Sequence, residues 1–209
     1  LANPLEEIDY KNINPNNYLA EWKWDGIRIQ LVSLNQSVKL YSRTGDDISK
    51  TFPEITSLKL NQNFSLDGEL MAGEINRPGT FNDLQQRLNR KSPSKEIIKT
   101  VPTFIIAYDI LFLKSSDIRK KKITERRKIL SQFLNKENLP FIKFSEEVKF
   151  KDFNELEQKR LKCREELNYE GLMLKLKNSI YQPGRPKGPW YKFKRDPFNV
   201  DVVLLYAQR

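Results

Sequence analysis

Glu21-Trp22-Lys23-Trp24-Asp25-Gly26-Ile27-Arg28, set within the run from Tyr18 to Leu34, is the stretch on which the reading of this chain turns. It places a lysine between two tryptophans in a β-prone setting, two residues ahead of an Asp-Gly pair and five ahead of an arginine. Burial disfavours a charged amine, so a lysine held in such surroundings gives up its proton more readily and becomes a nucleophile. The Asp-Gly pair predicts a tight turn, with Tyr18–Trp24 and Ile27–Leu34 as the two arms of a hairpin. On the second arm Ile27, Ile29 and Leu31 alternate, which leaves Arg28 and Gln30 together on the opposite face. A lysine at a strand end with a guanidinium fork close by suits phosphate chemistry. Taken alone, the stretch fits a surface hairpin with an incidental lysine equally well.

The chain has 209 residues, with 37 Lys and Arg against 27 Asp and Glu and a net charge of +10. That length suits one domain, or one domain with a small appendage, and is enough to bury a proper core. The positive excess favours a polyanionic partner through phosphate neutralisation and counterion release. A membrane surface is the competing partner, weakened by the absence of a long apolar run and of a signal-like N-terminus. A single cysteine, Cys163, excludes an internal disulfide and a Cys-based zinc site and points to a reducing compartment. With no histidine in the chain, any catalysis must run on Lys, Arg, carboxylates and hard cations.

Outward from the opening stretch, Val38–Arg43 reads as a third strand after the turn signal Asn35-Gln36. Phe64–Leu70 is a strand whose period of two puts Asp67 and Glu69 on one face. Thr80 with Asp83 opens a helix, followed by Arg87, Arg90, Lys91 and Lys95. Phe104–Leu113 is a nearly continuous apolar strand interrupted by Tyr108-Asp109. The segment from Asp117 to Leu134 holds a basic cluster and then a helix with Ile129, Leu130 and Phe133 inward. Phe141–Phe144 is a short strand. Asp152 with Glu155 caps a further helix, with Phe153, Leu156, Cys163 and Leu167 on one face. Strands return at Gly171–Leu176, Trp190–Lys194 and Val200–Tyr206, and the loop Tyr181–Pro189 is rich in Pro, Gly and basic residues. The mixed order of strands and helices predicts an α+β fold with antiparallel sheets in a single catalytic-type domain.

Polar residues sit on these strands where they converge on a shared cleft: Lys23, Asp25 and Arg28, then Ser42-Arg43-Thr44-Gly45, then Asp67-Gly68-Glu69. They continue with Glu170-Gly171-Leu172-Met173-Leu174-Lys175 and Trp190-Tyr191-Lys192-Phe193-Lys194, where alternation puts Lys192 and Lys194 on one face. Each has a plain structural explanation. Strand lysines protect edges, Glu-Gly makes turns, and a tyrosine such as Tyr108 fills a core. Together they make a complete set for nucleotide transfer: a nucleophilic lysine, carboxylates for a divalent cation, cations for phosphate and an aromatic platform.

Lys23-x-Asp25-Gly26-x-Arg28 resembles motif I of the covalent nucleotidyltransferases, which comprise DNA ligases, RNA ligases and mRNA capping enzymes. The Ser-Arg-x-Gly, Asp-Gly-Glu, Ala107-Tyr108-Asp109-Ile110-Leu111, Glu-Gly-x-Met-x-Lys and Trp-x-Lys-x-Lys elements resemble the later motifs in the same order, from Ala20 to Lys194. Ala20-Glu21-Trp22-Lys23, Glu125-Arg126-Arg127 and the Trp190–Lys194 strand are most similar to ATP-dependent DNA ligases. Gly184–Trp190 and Val203–Gln208 resemble a bacterial repair-associated branch. The resemblance implies a nucleotidyltransferase (ATP-grasp-like) adenylation domain, with antiparallel sheets flanked by helices around a central nucleotide cleft.

By that resemblance, Lys23 attacks the α-phosphorus of ATP to give a lysyl-AMP adduct, and AMP then passes to the 5′-phosphate of nicked double-stranded DNA for sealing. It further implies Glu21 at the adenine edge and Tyr108 and Met173 on opposite faces of the ring, with Lys175 among the nucleotide-binding residues. Arg28 and Glu69 meet the ribose, Arg43 meets a phosphate or the DNA end, and Lys192 and Lys194 hold the α-phosphate. Glu170 with Glu69 holds Mg²⁺ or Mn²⁺, and Asp25 orients the turn. Residues 1–198 are then the adenylation domain, and 199–209 the linker and start of an OB-fold domain absent from the chain. An N-terminal DNA-binding domain of larger relatives is absent too, so the chain is expected to adenylate itself poorly and to seal nicks hardly at all. A monomer in the prokaryotic cytoplasm, associated with the nucleoid and not with a membrane, completes the expectation. The alternatives are an RNA ligase, a GTP-using capping enzyme, or a nucleic-acid-binding module without catalysis.

Overall fold

A computed structural model describes residues 1–88, 90, 92–163 and 169–195. In chain order the elements begin with β1 (Asn3–Pro4), α1 (Glu7–Tyr10), β2 (Tyr18–Trp24), β3 (Ile27–Leu34), β4 (Ser37–Ser42) and α2 (Pro53–Thr56). There follow β5 (Phe64–Glu74), β6 (Arg77–Pro78), α3 (Phe81–Leu88), α4 (Lys95–Thr100), β7 (Thr103–Leu113) and β8 (Ser116–Asp117). The last are α5 (Ile123–Glu137), β9 (Ile142–Phe144), α6 (Phe153–Lys162), β10 (Tyr169–Leu176) and β11 (Trp190–Lys194). The expected α+β class is what forms. The expected strand Val200–Tyr206 and the helical position Leu167 lie outside the described residues.

The strands form two sheets. A four-stranded sheet runs β1-β11-β10-β2, and a larger one runs β4-β3-β5-β7-β8 with β6 and β9 attached. Pairing is antiparallel except where β1 lies parallel to β11 and β9 parallel to β7.

This topology corrects the hairpin expected at Asp25-Gly26. β2 pairs with β10, whereas β3 pairs with β4 and β5, so the chain leaves one sheet for the other at those two residues. A two-residue hairpin turn needs positive φ at a central position, and Gly26 is not among the positive-φ glycines. It is required for a different reason: a Cβ there would stand 2.5 Å from the Leu70 carbonyl oxygen and 2.6 Å from Met71 Sδ. The hairpin forms one strand later, where Asn35 (φ 49°) and Gln36 (φ 62°) join β3 to β4 in the left-handed geometry that suits a two-residue turn.

Each sheet has its own core. Ile29, Leu31, Leu40, Phe64, Leu66, Ile105 and Ile110 pack beneath Leu130 and Phe133 of α5. Tyr18, Ala20, Leu172, Leu174, Tyr191 and Phe193 pack against Val148, Phe150 and Leu156. Each fully buried aliphatic or aromatic side chain contributes about 1.5–3 kcal/mol. The caps read from the sequence form as well. Asp83 accepts from the Thr80 N–H at 2.7 Å ahead of α3, and Asp152 accepts from the Glu155 N–H at 2.8 Å at the start of α6. Arg87, in the basic tract, is not a surface charge. It is fully buried, donates to both oxygens of Glu54 and lies over the Phe52 ring.

Candidate active site

The two sheets face each other across a cleft of about 450 Å³. Glu21, Lys23, Arg28, Arg43, Glu69, Tyr108, Glu170, Met173, Lys175, Lys192 and Lys194 all line it, so the expected nucleophile, nucleotide-binding and metal-binding residues meet there, whereas Asp25 is not among the lining residues. Residues as distant in the chain as Glu21 and Lys194 converge because β2, β10 and β11 supply one wall and β3, β5 and β7 the other.

Two β-bulges aim key side chains into this space. Across β10 and β2 the register steps from Tyr169↔Trp24 to Gly171↔Lys23, leaving Glu170 as the extra residue. Gly171 sits at φ +147°, and a Cβ on it would lie 2.3 Å from the Phe193 carbonyl oxygen. Across β5 and β7 the register steps from Asp67↔Asp109 to Gly68↔Ala107, which leaves Tyr108 as the extra residue. Bulges re-aim side chains in this way.

At the Glu170 end, one carboxylate oxygen is ion-paired with Lys23 Nζ and the other with Lys194 Nζ. Burial pushes the Glu170 carboxyl up, but the hydrogen bonds from Lys194 and Lys23 outweigh it and hold the group below the usual glutamate range. Lys23 is therefore not a bare amine lodged between tryptophans, because its nitrogen is held by a carboxylate. Trp22 and Trp24 instead pack on Tyr169, with ring centroids at 4.6 and 4.5 Å. Glu69, on the opposite wall, has its carboxyl pushed up to about 8, chiefly by burial, with Lys23 and Arg28 opposing and Glu170 and Asp25 adding to the rise. Lys192 is shifted below the ordinary amine range by burial and by Lys194, Arg185 and Lys23. Asp25 is exposed at the crossing between the sheets.

Glu69 and Glu170 are oxygen donors on facing walls of the cleft. Among the described residues no group of three or more His, Cys, Asp or Glu gathers. Two carboxylates with phosphate and water completing the shell is the pattern that suits Mg²⁺ or Mn²⁺.

The floor of the cleft is a buried charge network. Glu21 is ion-paired with Arg127 and, at 2.5 Å, with Lys175. One carboxylate cannot compensate two buried cations fully, and burial together with Arg127 pushes Lys175 well below the ordinary amine range. The Lys175 nitrogen lies 4.5 Å from the centre of the Tyr108 ring and 4.7 Å from that of Trp190. Behind it, Arg126 forks onto both oxygens of Asp109 at 2.8 Å, with both side chains fully buried. Tyr108 on one wall and Met173 on the other leave a slot fit for a planar ring between an aromatic face and a thioether.

Beside the slot, Arg28 Nη2 donates to Asp67 Oδ2 at 2.5 Å and to the Tyr181 hydroxyl at 3.1 Å. Arg43 is exposed at the mouth of the cleft, where the Ser42–Asp46 loop closes on itself through the Ser42 and Thr44 hydroxyls. Tyr181, Arg127, Arg126 and Arg185 were not singled out as site residues in the sequence. The run Glu125-Arg126-Arg127 and the basic loop Tyr181–Pro189 were the available signals, but the partners of these residues lie far along the chain.

Residues 1–194 match the family described as ATP dependent DNA ligase domain. The chain is similar to the DNA ligase of Methanococcus aeolicus, with 33% identity over 90% of this chain and 34% of that protein. It is also similar to the probable DNA ligase of Koribacter versatilis, with 31% identity over the whole chain and 40% of that protein. The chain thus spans a little over a third of the length of these relatives. Among solved structures, mycobacterial DNA ligase D complexed with ATP superposes with a TM-score of 0.72 at 23% identity, over 93% of this chain and 58% of that one. The Chlorella virus DNA ligase-adenylate superposes with a TM-score of 0.65 at 20% identity, over 93% of this chain and 67% of that one. At such identities the likeness is one of fold, and the fold is that of ligase nucleotidyltransferase domains.

Proposed function

The chain belongs to the ATP dependent DNA ligase domain family, and from that premise we propose that its cleft carries out lysine adenylation and hands AMP to the 5′-phosphate of nicked duplex DNA. The observation that carries this reading is Lys23 Nζ held on Glu170, with Lys194 on the other carboxylate oxygen, beside a slot walled by Tyr108 and Met173.

The adenine enters the slot with its edge toward Glu21, and the α-phosphate lies among Lys23, Lys192 and Lys194. Arg28 and Glu69 face the ribose and Arg43 the phosphate end. The Lys23–Glu170 pair opens and Nζ releases a proton to solvent. The free amine then forms a bond to the α-phosphorus as the bond from that phosphorus to the pyrophosphate oxygen breaks, and pyrophosphate leaves while the nitrogen sheds a second proton. Lys192, Lys194 and Arg28 neutralise charge that develops on the phosphate oxygens, and in-line positioning supplies much of the remaining acceleration. Glu69 and Glu170 would hold a divalent cation, which when bound supplies Lewis-acid stabilisation of phosphate charge. In the second half, the 5′-phosphate of the nick displaces Lys23 from AMP, and the 3′-hydroxyl then displaces AMP to form the phosphodiester. The whole protein is read as a monomer of the prokaryotic cytoplasm that works on nucleoid DNA with an OB-fold domain and an N-terminal DNA-binding region. No helix among the described residues is long and apolar enough to cross a membrane.

Intact mass spectrometry tests the reading. Incubation with ATP and Mg²⁺ is expected to add the mass of AMP to a fraction of the chain, with the adduct lost in acid and absent in Lys23→Ala. An adduct formed only from GTP would overturn the ATP assignment, and an adduct that persists in Lys23→Ala would overturn the nucleophile.

A further inference from the structure

Tyr181 stands in the loop between β10 and β11, yet its hydroxyl reaches the other sheet. It donates to Asp67 Oδ2 at 2.8 Å and accepts from Arg28 Nη2 at 3.1 Å and from Gln30 Nε2 at 3.5 Å. The donor inventory allows one assignment. A carboxylate only accepts and a guanidinium only donates, so the single phenolic hydrogen goes to Asp67 and the lone pairs receive Arg28 and Gln30. The ring is held from behind: the Tyr181 N–H donates to the Arg119 carbonyl at 2.9 Å, Trp190 meets the ring edge-on at 6.4 Å, and the Arg126 guanidinium lies 5.9 Å from its centre. Asp67 is fully buried on β5, so it is a fixed point as well.

Arg28 is a long, partly exposed side chain on the cleft wall. Asp67 and Tyr181 both engage its Nη2, and Nε and Nη1 have no hydrogen-bond partner among the described residues. Two acceptors on one nitrogen fix the plane of the guanidinium, where a single carboxylate oxygen would leave it free to swivel. We propose that Tyr181 is a positioning residue, which sets the orientation of Arg28 toward the nucleotide and ties the loop carrying Arg185 to the opposite wall. This inference rests on the reading of the cleft as a nucleotide site.

The test is a double-mutant cycle on ATP affinity, measured by calorimetry with the chain, Tyr181→Phe, Arg28→Ala and the double variant, each checked for fold by circular dichroism. Hydrogen bonds to charged groups put the expected loss for Tyr181→Phe at roughly 10-fold in Kd. The same change made on top of Arg28→Ala is expected to cost less than about twofold, because the group being positioned is already gone. An unchanged Kd in Tyr181→Phe, or an equal loss with and without Arg28, would assign Tyr181 a purely structural role and overturn the proposal. Failure of the unsubstituted chain to bind ATP would instead overturn the reading of the cleft, and this inference with it.

Discussion

At the scale of single residues, the interior of this domain is set by where its charges find partners. Arg126 and Asp109 are both fully buried and joined by two hydrogen bonds. Removing one member leaves an uncompensated charge in low dielectric, so Arg126→Ala is expected to cost about 3–5 kcal/mol in urea denaturation, whereas Arg126→Met with Asp109→Leu is expected to be far milder. The tyrosines give a second handle. Burial and the hydrogen bond to Asp9 push the Tyr191 hydroxyl up to about 12, and burial with Asp67 does the same for Tyr181. Unfolded tyrosine ionises near ~10, so between about pH 10 and 12 the native chain keeps protons that the unfolded chain has released. Stability present below pH 10 is therefore lost as pH rises through that window. Tyr191→Phe is expected to flatten the dependence of the urea midpoint on pH there, and an unchanged slope would contradict the assignment.

At the scale of elements, β-bulges decide which side chains serve the cleft. Glu170 and Tyr108 are each the extra residue of a register step, and Gly171 makes the first of these steps possible. In Gly171→Ala the new methyl meets the Phe193 carbonyl in a backbone conformation that L side chains rarely adopt. The expected cost is about 2–4 kcal/mol, a fall in Tm of roughly 5–15 °C by calorimetry. Adenylation by the folded variant should fall as well, because Glu170 and Lys194 move with the strand. Strand positions were legible in the sequence because alternation is local: Lys192 and Lys194 on one face, and Tyr191 and Phe193 buried on the other, follow from period two alone. Partner choice was not legible. Asp-Gly reads as a hairpin from its own residues, but what β2 pairs with is decided by β10, far along the chain. The same limit hid Tyr181, whose hydroxyl bonds to a residue 114 positions away, and Arg127, whose counter-charge is Glu21. No local pattern marks such pairs.

At the scale of the whole molecule, the net charge of +10 surrounds a cleft that keeps several cations near its mouth. If about 4–6 phosphates are neutralised on binding nicked duplex, affinity should fall by roughly 100- to 1000-fold between about 50 and 200 mM salt. Fluorescence anisotropy across that range checks this, and a flat salt response would rule out the polyanionic partner. The crossing at Asp25-Gly26 has a mechanical corollary. It is the shortest passage between the two sheets, and Lys23 sits beside it. If one wall rocks against the other about this passage, displacement grows with lever arm. The far rims that admit and release a ligand then travel most, and the reacting nitrogen, next to the fulcrum, travels least. A chain that threads from wall to wall at its nucleophile can open its jaws without losing its aim.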